Sequence, residues 1–350
     1  MDIKELLQLT IDRDCSDLHL VPGYFPTLRI NGELSPLKTM PVIGESESII
    51  FPVMTEDQKE TLLANREVDF GYEHAEHRFR VNVYFSKGSY AASFRLIPKI
   101  IRTIDELGLP SILHNFAAMQ QGFILVTGPT GEGKSTTLAA IIDEINQNAA
   151  KHILTIEDPI EFVYPPGRSI ISQRELGFDT HSWTVALRSA LREDPDVVLI
   201  GEMRDHETIA TALTVAETGH LVFSTVHTNS AAQTIDRIID VFPAHQQQQI
   251  RIQLASALKA IVSQRLLPDS SNTGRTVACE VLLNNSAVSS LIRDGKTNMI
   301  DNVIQTSIQE GMIFFERNLF DLYRKGKITR DTAIAYSLRP AEIRKLMGDV

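Results

Sequence analysis

The chain has 350 residues, 43% of them hydrophobic and 22% charged, and a formal net charge of −10. That length accommodates two or three domains with cores of their own, the composition excludes an extensively disordered chain, and the acidic balance disfavours a broad nucleic-acid surface while leaving room for a local basic patch. Cys15 and Cys279 lie far apart with no Cys-x-x-Cys pair, which excludes a disulfide framework and a cysteine-rich zinc site and fits a reducing cytoplasm. The N-terminus lacks the basic-then-apolar pattern of a signal peptide, and no apolar run approaches about 18 residues. A cytoplasmic chain is expected, with any membrane association made through a partner.

In chain order, Ile3, Leu6, Leu7 and Ile11 recur at helical spacing and predict a first helix ending near Asp14. Leu18 and Leu20, then Leu28 and Ile30, alternate with polar neighbours, and Asn31-Gly32 reads as a type I′ hairpin turn. Thr55 to Gln58 matches a capping box that opens a helix to about Asn65. Phe79, Val81, Val83 and Phe85 then alternate in period two, and Lys87-Gly88 turns that strand back through Ala91 to Leu96. Residues 1–98 therefore read as a mixed α/β domain of hairpins and two helices. Residues 99–115 read as a linker, with one short helix between Pro98 and Pro110.

From Gly122 the texture changes to alternating strand and helix, which predicts an α/β domain over 116–350 with a parallel sheet covered on both faces. An apolar run at 122–127 leads to a helix over 135–148. Further strands are expected at 152–156, 196–200 and 221–226, with helices at 182–193 and 207–218 and Gly219 as a C-cap. Beyond about Ser230 the signals are mainly helical, with loops near Pro243 and at 268–274. The whole is a RecA-like domain with a helical C-terminal region.

Between the first strand and helix of that domain runs Gly128-Pro129-Thr130-Gly131-Glu132-Gly133-Lys134-Ser135-Thr136, which satisfies the P-loop pattern G-x-x-x-x-G-K-[ST]. The glycines let successive backbone N–H groups form a nest for phosphates at the positive end of the following helix. Lys134 supplies a point charge for the β- and γ-phosphates and Ser135 a hydroxyl for Mg²⁺, so nucleotide binding is expected.

Hydrolysis also needs acids near the γ-phosphate. The run 196–202 delivers Glu202 at the C-terminal end of a buried strand, where ligands sit in open α/β sheets, and Glu202 is the candidate general base or water-positioning group. Asp196, at the other end of that strand, has a rival role in ending the preceding helix and is left out of the catalytic set. Glu157, Asp158 and Glu161 form a second acidic cluster after a strand, either a metal-facing group or a polar loop with solvated carboxylates. His220 and His227 flank the strand at 221–226 and could hydrogen-bond a γ-phosphate or be ordinary polar side chains. Arg78, Arg80 and Arg95 lie in strands of the first domain, as solvated residues or as arginine fingers supplied across a subunit boundary.

Taken together and in order, the P-loop, Ile156 to Phe162, Leu199 to Asp205, Thr218 to His220 and Ser224 to Asn229 resemble the Walker A, Asp box, Walker B and His box of the type II secretion and type IV pilus motor ATPases. The resemblance runs from Ser16 to Met312 and is similar in detail to the retraction branch. Extension motors typically carry a long extra N-terminal domain and a tetracysteine zinc motif, whereas this chain begins at a small PAS-like domain. Residues 287–294 partly match the Ala-Ile-Arg-Asn-Leu-Ile-Arg-Glu motif of retraction motors, with Ser289 in place of the first arginine and Asp294 as the final acid.

The resemblance implies a homo-hexamer that hydrolyses ATP with Mg²⁺ and drives pilus retraction through an inner-membrane platform protein, acting indirectly on pilin. It implies that Lys134 and Ser135 hold phosphate and metal, that Glu202 is the general base, and that Glu157, Asp158 and Glu161 arrange water and metal. His227, with His220 nearby, would register the γ-phosphate, Arg80 and Arg95 would act as fingers, and 98–110 would be the hinge of the power stroke. An accessory retraction or type II secretion ATPase, a nucleic-acid translocase on the same core, and a nucleotide-gated regulator with little turnover are the rival readings.

Glu132 departs from the family, which usually has a small residue there. A carboxylate aimed into the nest would oppose phosphate, and Glu132→Ser would then lower the ATP KM; with the side chain turned outward, only its backbone N–H would serve the nest.

Overall fold

The computed structural model describes residues 2–30, 32–271 and 274–348. The chain divides into two units: one takes in the chain up to Ile100 together with Asp158–Val163, the other Ile101–Glu157 and the chain from Tyr164 onward.

The first unit contains α1 (Ile3–Asp12), β1 (Asp17–Leu20), β2 (Thr27–Ile30), β3 (Glu33–Pro36), α2 (Glu47–Ile50), α3 (Glu56–Asn65), β4 (Glu67–His74), β5 (His77–Ser86) and β6 (Ser89–Leu96). The strands form an antiparallel sheet in the order β3-β2-β1-β6-β5-β4. The period-two residues Phe79, Val81 and Val83 of β5 are fully buried, and they share one core with Ile3, Leu6 and Leu7 of α1 and Leu62 of α3. The capping box of α3 is formed in both directions, Gln58 N donating to Thr55 Oγ1 and Thr55 N to Gln58 Oε1. Lys87 and Gly88 both have positive φ, as a primed hairpin turn requires. Asn31 lies outside the described residues. Sequence reading missed α2 and β4; the latter is an edge strand whose apolar side is Val68, Phe70 and Tyr72, set against Glu, Asp and Gly.

The second unit contains α4 (Leu113–Ala117), β7 (Gly122–Thr127), α5 (Lys134–Asn148), β8 (His152–Glu157), β9 (Ile170–Glu175), α6 (Trp183–Ala190), β10 (Val197–Ile200), α7 (His206–Glu217), β11 (Leu221–Val226), α8 (Ala231–Asp240), α9 (Ala244–Ala257), β12 (Leu258–Pro268), β13 (Arg275–Leu283), α10 (Ser286–Asp294), α11 (Ile300–Thr306), α12 (Phe315–Arg324), α13 (Arg330–Tyr336) and α14 (Pro340–Leu346). Its sheet runs β13-β12-β7-β11-β10-β8-β9, parallel except for β13. β7, β10 and β11 are buried along their whole length, which is why they read as largely apolar runs without polar alternation. Residues of α4 and α5 pack on one face, around Ile124, Val126 and Phe223, and those of α6 to α11 on the other, around Phe123, Leu125 and Val222.

Two expectations are corrected here. The region beyond Ser230 is mainly helical, as expected, but it is not helices and loops alone, because β12 and β13 extend the sheet as an antiparallel pair. β12 lies between β7 and β13 and carries no polar-apolar alternation over 260–263, all buried, so its sequence does not separate a strand from a buried helix. Between Pro98 and Pro110 there are turns in place of a helix, and Ile104 and Leu109 are buried in the core of the second unit.

Candidate nucleotide site

The register of the parallel strands assembles the site. β11 pairs with β7 up to Val226 opposite Thr127, while β10 ends with Ile200 opposite both Ile156 of β8 and Ser224 of β11. The residues at or just beyond these strand ends, Gly128, Glu157, Glu202 and His227, therefore emerge at one edge, the C-terminal edge at which open α/β sheets bind ligands.

The loop after β7 has the conformation its glycines were read for. Gly128, Gly131 and Gly133 have φ of +149°, +84° and +80°, and a Cβ at Gly128 would lie 2.5 Å from the backbone oxygen of Gln264. Gly133 is the N-cap of α5 and offers no side-chain cap, so the first-turn N–H groups at Lys134, Ser135 and Thr136 are available to an anion. The Lys134 side chain folds back over the loop, donating to Gly128 O at 2.9 Å and Pro129 O at 2.8 Å. A buried ammonium held by carbonyls, a glycine cradle and an uncapped helix N-terminus together fit the phosphates of a nucleotide.

His227 links this loop to Glu202. Its Nδ1 lies 3.4 Å from both Lys134 Nζ and Thr130 Oγ1, and its Nε2 lies 3.5 Å from Glu202 Oε2. An ammonium has no lone pair to offer, so Nδ1 accepts and the ring proton sits on Nε2, facing the carboxylate. The other oxygen of Glu202 is paired with Arg204 Nη2 at 2.7 Å. Glu157, 9% exposed, accepts from Thr155 Oγ1 at 2.7 Å and Gln173 Nε2 at 3.2 Å.

Not every expected residue belongs to this cluster. His220 precedes β11, at the opposite end of that strand from His227; six residues of strand separate them, roughly 20 Å. The expectation that His220 sits near His227 is thus corrected: its Nδ1 lies 3.0 Å from Val215 O at the end of α7. Asp158 and Glu161 group with the first unit, where Arg80 is held by Asp69 at 2.7 Å and lies 3.5 Å from Glu161. Arg95 donates to Asp17 at 3.0 Å with its side chain 65% exposed, and Arg78 pairs with Glu73. Asp196 accepts from His152 N and Lys151 Nζ, tying β10 to the start of β8.

Sequence reading missed the partners that orient the site. Arg204 stands two residues after Glu202, inside a motif already quoted. Gln264 is fully buried and bridges the loop to β12, donating to Glu132 O at 2.6 Å and accepting from Thr137 Oγ1 at 2.8 Å. It lies more than a hundred residues away with no motif of its own, so no local signal pointed to it.

Residues 76–339 match the family described as type II/IV secretion system protein. The chain is 43% identical to the type IV pilus retraction ATPase PilT of Pseudomonas aeruginosa, covering 95% of this chain and 97% of that protein. It is 47% identical to a twitching motility protein of Neisseria gonorrhoeae, over 88% and 83% of the two chains. The crystal structure of the pilus retraction motor PilT with bound ADP superposes with a TM-score of 0.91 at 44% identity, covering 99% of each chain. The P-loop, the Lys134–His227–Glu202 chain and these likenesses agree: the chain is a P-loop ATPase belonging to the type II/IV secretion system protein family.

Proposed function

We propose that the chain hydrolyses Mg²⁺-ATP at the edge described above and that this hydrolysis powers type IV pilus retraction, by a hexamer at the cytoplasmic side of the inner membrane acting on a platform protein and, through it, on pilin. The observation that carries the reading is the Lys134–His227–Glu202 chain, set in a fold so similar to a retraction motor that holds ADP.

The loop N–H groups and Lys134 would hold the β- and γ-phosphates, and Ser135 would share Mg²⁺ with them. Glu202 would orient or deprotonate the attacking water, with Glu157 beside it in the edge and Arg204 restraining its carboxylate. A γ-phosphate drawing on Lys134 would break one link of the chain to His227, so the imidazole would register its arrival and loss. Asp158 and Glu161 would support water and metal, and Arg80 and Arg95 would be fingers reaching a neighbouring subunit's nucleotide.

The test is complementation of a retraction-deficient pilus host. The wild type should restore twitching, and Glu202→Gln should abolish it while lowering kcat by about 10²- to 10⁴-fold. Full ATPase activity without twitching would overturn the retraction assignment in favour of an accessory role. One observation favours that second reading: Ser289, where the retraction motif has arginine, turns its hydroxyl onto Ala255 O and Asn284 Oδ1 at 3.1 and 3.0 Å.

A further inference from the structure

The P-loop is held from outside by β12, and the holding residue is the one that departs from the family pattern. β12 runs eleven residues, but β7 pairs with it only to Thr127 opposite Ser263. Beyond that point β13 still covers one side of β12 as far as Pro268, while the side toward the nucleotide loop has no strand. Gln264 and Leu266 are two residues apart and so present their backbone groups to the same side. The oxygen of Gln264 stands against Gly128, and the N–H of Leu266 donates to the carboxylate Oε2 of Glu132. The same residue's carbonyl accepts from Gln264 Nε2 at 2.6 Å.

We infer that Glu132 is a positioning residue for nucleotide binding: its carboxylate takes the place of a missing strand partner at Leu266 and pins the phosphate loop to β12. Glu132 lies between Gly131 and Gly133, both with positive φ and both of the residue type with the widest choice of backbone conformation. Fixing the residue between them restricts both and prepares the nest before nucleotide arrives, which lowers the entropic cost of binding. The carboxylate is spent on β12 and not aimed into the nest, so its removal weakens binding; a like-charge clash would act in the opposite direction. The inference rests on 128–135 being the phosphate site.

The experiment uses the full chain and compares wild type with Glu132→Ser and Glu132→Gln, the latter keeping an acceptor oxygen without the charge. Glu132→Ser should raise the KM for ATP and the Kd for a fluorescent ADP analogue roughly tenfold, the loss of one charge-assisted hydrogen bond, with kcat within about twofold. Without nucleotide, its Leu266 amide should exchange with solvent roughly tenfold faster. Glu132→Gln should retain most of the affinity and the amide protection. A Glu132→Ser KM at or below the wild-type value, or equal losses in both variants, would overturn the inference. If the serine variant is too unstable to assay, Glu132→Asp, one methylene shorter, gives the same readouts. Lys134→Ala separates the premise: undiminished nucleotide binding there would mean that the loop is not the phosphate site at all.

Discussion

Single residues set the nucleotide loop, and Gly128 is the least replaceable of them. Its φ of +149° is closed to L side chains, and the atom a Cβ would meet is backbone oxygen of a central strand, which cannot swing aside. Gly128→Ala should therefore cost about 1–3 kcal/mol and abolish measurable nucleotide binding, as read from thermal unfolding and ADP titration. The glycines, Lys134 and Glu202 were legible because each role demands one residue type at a fixed spacing, so the chemistry is written locally. Glu132 shows the limit of that reading. Its identity was plain, but whether its carboxylate faced phosphate or protein depended on an N–H 134 residues further along the chain.

At the scale of elements, two contacts tie parts of the fold to pH. His114 of α4 lies between Glu144 of α5, at 2.8 Å, and Asp105 of the segment before it, at 3.2 Å, so it holds the turns that lead out of the first unit against the helix that follows the P-loop. The hydrogen bond that His114 donates to Glu144, and then that to Asp105, raises its pKa above 6.5. A raised pKa means that this clamp stabilises fully below about pH 6.5 and fades as pH rises through the folded-state value. Being half-exposed, it contributes at most about 1 kcal/mol. His114→Ala should shrink the Tm difference between about pH 6 and about pH 8.5, with the mutant converging on wild type at the alkaline end.

Glu280 of β13 is the second. It is fully buried, accepts from Ala231 N at the start of α8, and keeps its other oxygen without a hydrogen-bond partner. Burial pushes its carboxyl up to about 7 from 4.5, with Asp301 adding to the effect and Arg339 opposing it. The folded state holds this proton more tightly than the unfolded chain, so stability falls as pH rises from 4.5 through about 7, by on the order of 3 kcal/mol at its fullest. Glu280→Gln, which still accepts from Ala231, should unfold at a higher temperature than wild type near pH 8 and show no gain near pH 5. Thermal melts at the two pH values check it. β12 was among the elements missed in the sequence, because a strand in the interior of a sheet loses the alternation that an edge or one-sided strand displays.

For the whole molecule, the proposed motor requires assembly, since the fingers proposed at Arg80 and Arg95 would act only on a neighbour's nucleotide. Light scattering after gel filtration should give a six-subunit mass in the presence of nucleotide, and a strictly monomeric protein with full ATPase activity would count against the hexamer. Among the described residues no helix is long and apolar enough to cross a membrane.

The sequence by itself determined the nucleotide chemistry, the two kinds of domain texture and the family, because P-loop spacing, hydrophobic period and ordered motifs are local properties of the chain. Only the tertiary structure decided which of the flanking histidines meets the P-loop, what orients Glu202, and where the carboxylate of Glu132 goes. His220 and His227 bracket one strand symmetrically in sequence, yet a parallel sheet binds at one edge only. Gln264 and Leu266 take their roles from strand register across the sheet, which is fixed by the packing of residues far apart in the chain and has no expression in any single segment.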